Sequence, residues 1–136
     1  YETSRWIVFM KIGTIYLIIF LFIPFLAKAD FNWKKIGQNT NGSAFFVDKS
    51  SIKKNSDTVY FYLLTDYYKP KDNILSVTAY IEGSCSKYSW RFLKDIYYGE
   101  PMGNGVVVNT INEPGEWNSN VKKSIMEKVM RYVCKF

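Results

Sequence analysis

The sequence predicts an α+β fold: a curved antiparallel β-sheet of about five to six strands with one C-terminal α-helix packed on one face. Two observations carry this. Apolar residues alternate with a period of two through the middle of the chain, from Thr58 to Tyr98. Beyond Asn118 the period changes, and Val121, Ile125, Val129, Tyr132 and Val133 recur at spacings of three and four. A third feature, an apolar run before Asp30, decides how much of the chain takes part in the fold.

Met10-Lys11 is a natural start, which makes Tyr1–Phe9 misread upstream residues. An apolar stretch from Ile12 to Leu26 follows, then Ala27-Lys28-Ala29. A short positive start, an apolar centre and an A-x-A exit make residues 1–29 a secretory signal peptide, cleaved between Ala29 and Asp30. The alternative is an uncleaved anchor. Against it, the stretch is shorter than the ~20 residues that cross a bilayer, and it contains Gly13, Thr14 and Pro24. Asp30 stands where a lipid-tethered protein needs Cys, so no lipid anchor is expected. Residues 30–136 then form a single domain. It is periplasmic, secreted or held at the cell surface, and meets the membrane only in transit.

Within that domain, Trp33-Lys34-Lys35-Ile36-Gly37 reads as a first strand. Asn41-Gly42 is a turn signal, because both residues tolerate positive φ. Asn41-Gly42-Ser43 also matches a glycosylation sequon, but the turn explains it better. Ala44–Asp48 is a second strand, and Lys49–Asp57 a polar connection in which Ile52 tucks inward. Thr58–Tyr68 is the clearest strand, apolar or amphipathic on both faces and therefore central. Lys69–Asn73 is a loop with a proline stop. Leu75–Ser84 sets Val77, Ala79, Ile81 and Gly83 against Thr78, Tyr80 and Glu82. Tyr88–Tyr98 sets Tyr88, Trp90 and Phe92 against Arg91, Leu93 and Asp95. Gly99–Gly105 is turn-rich, and Val106-Val107-Val108 a short edge strand. The helix runs from about Asn120 to Cys134, capped by Asn118 or Ser119. Arg131 and Lys135 suit its C-terminal dipole. Its stripe is expected to pack on Val77, Ala79 and Ile81.

Charge and composition exclude several functions. Eighteen Lys+Arg face 12 Asp+Glu, for a net +6. Losing Arg5, Lys11, Lys28 and Glu2 with the leader lowers this by two charges. The remaining lysines are interspersed with acids, so they read as a solvated surface and not a nucleic-acid patch. The chain has no histidine, which excludes Ser-His-Asp and Cys-His nucleophile systems and most zinc sites. Asp66, Glu82, Asp95, Glu100 and Glu116 are the acids left for a carboxylate mechanism, and their spacing makes no motif. Gly103-Asn104-Gly105 lacks the Lys-Ser/Thr of a phosphate loop and is a tight turn. No catalytic residue, metal or cofactor is expected.

Cys85 and Cys134 are the only cysteines, so their connectivity is settled if a bridge forms. In the loop-entropy model such a bridge restricts the unfolded chain by roughly 4 kcal/mol. A redox or metal thiol pair is the alternative, but the spacing is not C-x-x-C. Tyrosines are dense from Tyr60 to Tyr68, and tyrosine suits a half-buried binding face. Tyr67 and Tyr68, beside Lys69 and Lys71, form the best single patch for a ligand.

Several motifs occur in a telling order: W-K-K-I-G at Trp33–Gly37, F-F-V-D-K-S-S-I at Phe45–Ile52, L-L-T-D-Y at Leu63–Tyr67, Cys85 after a strand, P-M-G-N-G at Pro101–Gly105, Trp117, and Y-V-C at Tyr132–Cys134. In this order they resemble the surface-adhesin protein E family of small exported bacterial proteins. The resemblance implies a small antiparallel sheet packed with a helix and tied by one disulfide. It also implies adhesion, meaning the binding of host matrix or plasma proteins at the bacterial surface, and no catalytic residue. The expectation is therefore an exported, non-enzymatic binding domain whose partner is a host matrix protein or a periplasmic protein. The alternative is a periplasmic enzyme inhibitor or accessory factor that uses Asp66–Asn73 as a plug. A histidine-free hydrolase working with carboxylates is a third reading.

Overall fold

A computed structural model describes residues 30–119 and 122–136. The leader expected over residues 1–29, with its exit at Ala29, lies outside them. Seven strands form: β1 (Trp33–Gln38), β2 (Ala44–Asp48), β3 (Lys53–Asn55), β4 (Thr58–Lys71), β5 (Ile74–Ser84), β6 (Ser89–Tyr98) and β7 (Val107–Ile111). One helix follows, α1 (Ile125–Val133). All pairs are antiparallel, in the order β1-β2-β4-β5-β6-β7, with β3 also on β4. β2 and β3 share one edge of the long β4, β2 beside Leu63–Asp66 and β3 beside Thr58–Tyr60. The centre of the sheet is β4 and β5, as the two apolar faces of β4 require.

Alternation sorts the side chains into two faces. Val59, Phe61 and Leu63 of β4 stand opposite Gly83, Ile81 and Ala79 of β5, and this inner face receives α1. Val129, Met130 and Val133 of the helix are fully buried against it with Val47 and Trp90. Burying each such side chain contributes about 1.5–3 kcal/mol, as an upper estimate. Gly83 makes the close approach feasible, because a Cβ there would lie 2.7 Å from Met130 Cε. Cys85, just past β5, is bonded to Cys134, just past α1, with Cα atoms 5.6 Å apart.

The structure departs from the sequence expectations at five places. The edge strand expected at Val106-Val107-Val108 is β7, which begins one residue later and runs on to Ile111. The Lys49–Asp57 connection contains β3, whose three residues are all exposed and so show no alternation. The Lys69–Asn73 loop is instead the end of a hairpin, since β4 continues to Lys71 and only Asp72 and Asn73 turn, both at positive φ. Pro70 has no N–H for the ladder, and the strand buckles there: Tyr67–Pro70 stand opposite Leu75 alone. In β6, Phe92 pairs with Ile81 but Lys94 with Tyr80, leaving Leu93 as an extra residue. That bulge turns Asp95 and Tyr97 onto the inner face with Phe92, away from Arg91. Finally, α1 starts at Ile125, and its cap is Ser124 rather than Asn118 or Ser119. Ser124 Oγ accepts the Glu127 N–H at 3.1 Å, and the Glu127 carboxylate accepts the N–H of Lys123, one residue before the cap, a variant of the capping box. Bonds from Arg131 and Lys123 hold Glu127 below its ordinary pKa.

Candidate functional site

The outer face of the sheet is covered over one half only. There the Pro101–Gly103 turn is pinned by Asp66, whose Oδ1 accepts the Met102 N–H at 2.8 Å. The Ser76 hydroxyl donates to Glu100 O at 2.6 Å and accepts the Gly103 N–H at 2.9 Å. The other half carries a row of rings. Phe31 stacks on Trp33 at 4.8 Å and meets Tyr62 edge-on at 5.7 Å, and Tyr62 meets Tyr80 at 4.8 Å. Glu82 closes the row, accepting from the Tyr60 hydroxyl at 2.9 Å and pairing with Arg91 at 2.7 Å.

Two cavities lie toward the β4–β5 hairpin. The larger is an open groove of ≈ 810 Å³, and Tyr67, Tyr68, Lys69 and Lys71 all line it. Asn39, Asn41, Ser43, Asp72, Ile74 and Tyr97 complete its wall and floor. The buckle in β4 holds Tyr68 69 % exposed. The β1–β2 turn supports it from below. Asn39 Oδ1 accepts the Asn41 and Ser43 N–H groups, and Ser43 Oγ accepts the Tyr68 N–H at 3.3 Å. Gly42 sits under the ring at φ 84°, where a Cβ would come within 3.2 Å of Tyr68 Cγ. Only Gly42, not Asn41, takes positive φ in this turn.

The smaller cavity, ≈ 320 Å³, lies on the inner face beside the first turn of α1. It shares Tyr67 and Tyr97 with the groove, so the two rings stand between the cavities. Asp95 also lines it, and the buried Oδ1 of Asp95 has no hydrogen-bond partner. Burial raises the Asp95 carboxyl above its ordinary pKa. Burial first, and then the Asp95 charge, raises the Tyr67 and Tyr97 hydroxyls.

The five acids singled out from the sequence are therefore scattered. Asp66 holds a backbone turn, Glu82 pairs with Arg91, Asp95 lines the inner pocket, and Glu100 and Glu116 are exposed. Among the described residues, no group of three or more His, Cys, Asp or Glu could hold a metal ion. The sequence reading missed Asn39, Ser43 and Tyr97 in the groove. The Asx turn of Asn39 was a usable signal, while Tyr97 depended on the bulge.

The model of the surface-adhesin protein E family matches residues 33–135. The chain belongs to that family. Two structures of Haemophilus influenzae protein E share its fold. One is 18% identical with a TM-score of 0.59, covering 79% of this chain and 87% of that one. The other, crystal form II, is 19% identical with a TM-score of 0.58, covering 79% and 92%. Protein E from a non-typeable Haemophilus influenzae gives 18% and 0.55, covering 80% and 79%. No curated protein sequence matches the chain.

Proposed function

We propose that this chain is an exported, non-enzymatic adhesin-type domain that docks a protein ligand in the groove at the β4–β5 hairpin. The observation that carries this is an exposed Tyr68 flanked by Lys69 and Lys71, held on a buckled strand with its own supporting turn. An exposed aromatic anchor inside a polar, solvated rim is the arrangement that protein interfaces favour. Family membership supports a host matrix protein as ligand and the cell surface as location. Residues 1–29 act as the leader, and N-terminal sequencing of the exported protein should begin at Asp30.

The test is binding to immobilised matrix proteins by Tyr68→Ala and by the Lys69→Glu/Lys71→Glu pair. Each should weaken binding at least tenfold with little change in melting temperature. Unchanged binding would remove the groove from the reading. The hairpin also supports the inhibitor reading, because β4 runs beyond its last pair with β2 at Asp66 and can act as a plug. Fractionation of a tagged copy separates the two. An adhesin reaches the surface, whereas an inhibitor stays periplasmic and captures one enzyme.

A further inference from the structure

We infer that the inner pocket is a binding site for an organic ammonium group, recognised by the Asp95 carboxylate within a box of aromatic residues. This does not rest on the groove reading. Phe45, Tyr67, Trp90, Phe92 and Tyr97 line the pocket together with Asp95. Aromatic faces carry negative potential and attract cations, more strongly where water is excluded. Asp95 supplies a full charge at the same place, and its Oδ1 has no partner there. The two ion pairs among the described residues, Arg91–Glu82 and Arg131–Glu127, lie elsewhere.

The placement of the acid is built rather than incidental. Regular alternation after Phe92 would put Lys94 on the inner face and Asp95 on the outer. The extra residue Leu93 reverses this, so Lys94 stands opposite Tyr80 and Asp95 opposite Ala79. Bulges re-aim single side chains in this way, often beside functional sites. An acid turned inward against a largely apolar wall costs stability unless something meets it. A protonated amine meets both the carboxylate and the rings. A metal ion fits poorly, because Asp95 is the one carboxylate lining the pocket and no cysteine or second acid joins it. At ≈ 320 Å³ the pocket accepts a short alkylammonium or a lysine side-chain end. The ammonium comes from a free small amine or from a lysine of a partner protein.

The test is a titration of the purified, oxidised protein followed by NMR, with n-butylammonium, tetramethylammonium, Nα-acetyl-lysine methylamide and neutral n-pentanol as probes. The ammonium probes should shift the signals of Phe92, Asp95, Tyr97 and the Trp90 indole saturably, with a Kd of order 1 mM. n-Pentanol should bind at least tenfold more weakly. Asp95→Asn should lower the affinity for ammonium at least tenfold without changing that for n-pentanol. If Asp95→Asn fails to fold, Tyr97→Leu should weaken tetramethylammonium at least threefold. Wild-type binding should also fall with pH as Asp95 takes a proton. Binding of the lysine amide along with the free amines identifies a partner's lysine as the source. Binding of the free amines alone identifies a small amine. No saturable binding by any ammonium, equal binding of n-pentanol, or full affinity in the folded asparagine variant overturns the inference, and the pocket then holds water.

Discussion

The two ends of the helix–sheet interface are built to different rules. Toward the C-terminus of α1, Val129, Met130 and Val133 are fully buried, Gly83 admits Met130, and a disulfide closes the seam. Toward the N-terminus, Ile125 and Met126 line a cavity with an unpartnered acid. Stability gathered at one end allows the other to keep an open cavity and an unpaired acid in an otherwise apolar wall, as binding sites commonly require. The contrast extends to the buried acids. Asp48, 3 % exposed, receives three hydrogen bonds on Oδ1, from the Asn32 and Ser50 N–H groups and the Ser50 hydroxyl. Asp95 Oδ1 receives none.

The largest effect should come from the closed end. Replacing Cys85 and Cys134 together by Ser should cost about 4 kcal/mol in a urea titration. A loss below about 1 kcal/mol would mean that the two ends share the load. Next is Asp48→Ala, which strands three donors and should cost about 2–3 kcal/mol. Asp95→Asn should do the opposite and raise the melting temperature by about 2–5 °C, discounted for the acid's partial contact with water. A fall in melting temperature would make Asp95 a structural acid like Asp48 and erase the distinction.

The smallest effect is the pH dependence of that gain. The folded-state pKa of Asp95 is raised, so the folded protein holds its proton more firmly than the unfolded chain. The acid therefore lowers stability at neutral pH, and the penalty disappears as pH falls through its folded pKa toward the unfolded value near ~3.9. The advantage of Asp95→Asn should be largest at neutral pH and above, and should vanish once pH drops well below the unfolded value. Calorimetry across that range checks the sign, and an advantage that grows on acidification would refute it.

Much of the fold was legible because alternation survives wherever one face is buried. β4 and β5 have an apolar face and fell close to their expected limits. β3 is exposed throughout and left no pattern. Pro70 argued for a loop, yet a buckled strand accommodates it once neighbouring residues give up their pairing. The start of α1 was readable in the capping box Ser124-Ile125-Met126-Glu127, but Val121 drew the apolar stripe too far back. Met126 and Met130, left out of that stripe, line the pocket and fill the core respectively. In the candidate site, adjacency in sequence brought Tyr67, Tyr68, Lys69 and Lys71 together. Asp95 and Tyr97 were assigned to the wrong face or passed over, because one unpaired residue reverses parity and Leu93 carries no mark of it.

That unpaired residue also constrains how the gene can change. Losing the codon for Leu93 would straighten β6 and leave every later pair in place, whereas losing one codon between Asp95 and Tyr98 would turn the rest of the strand over. β6 can therefore shorten by one residue at Leu93 without turning the acid outward.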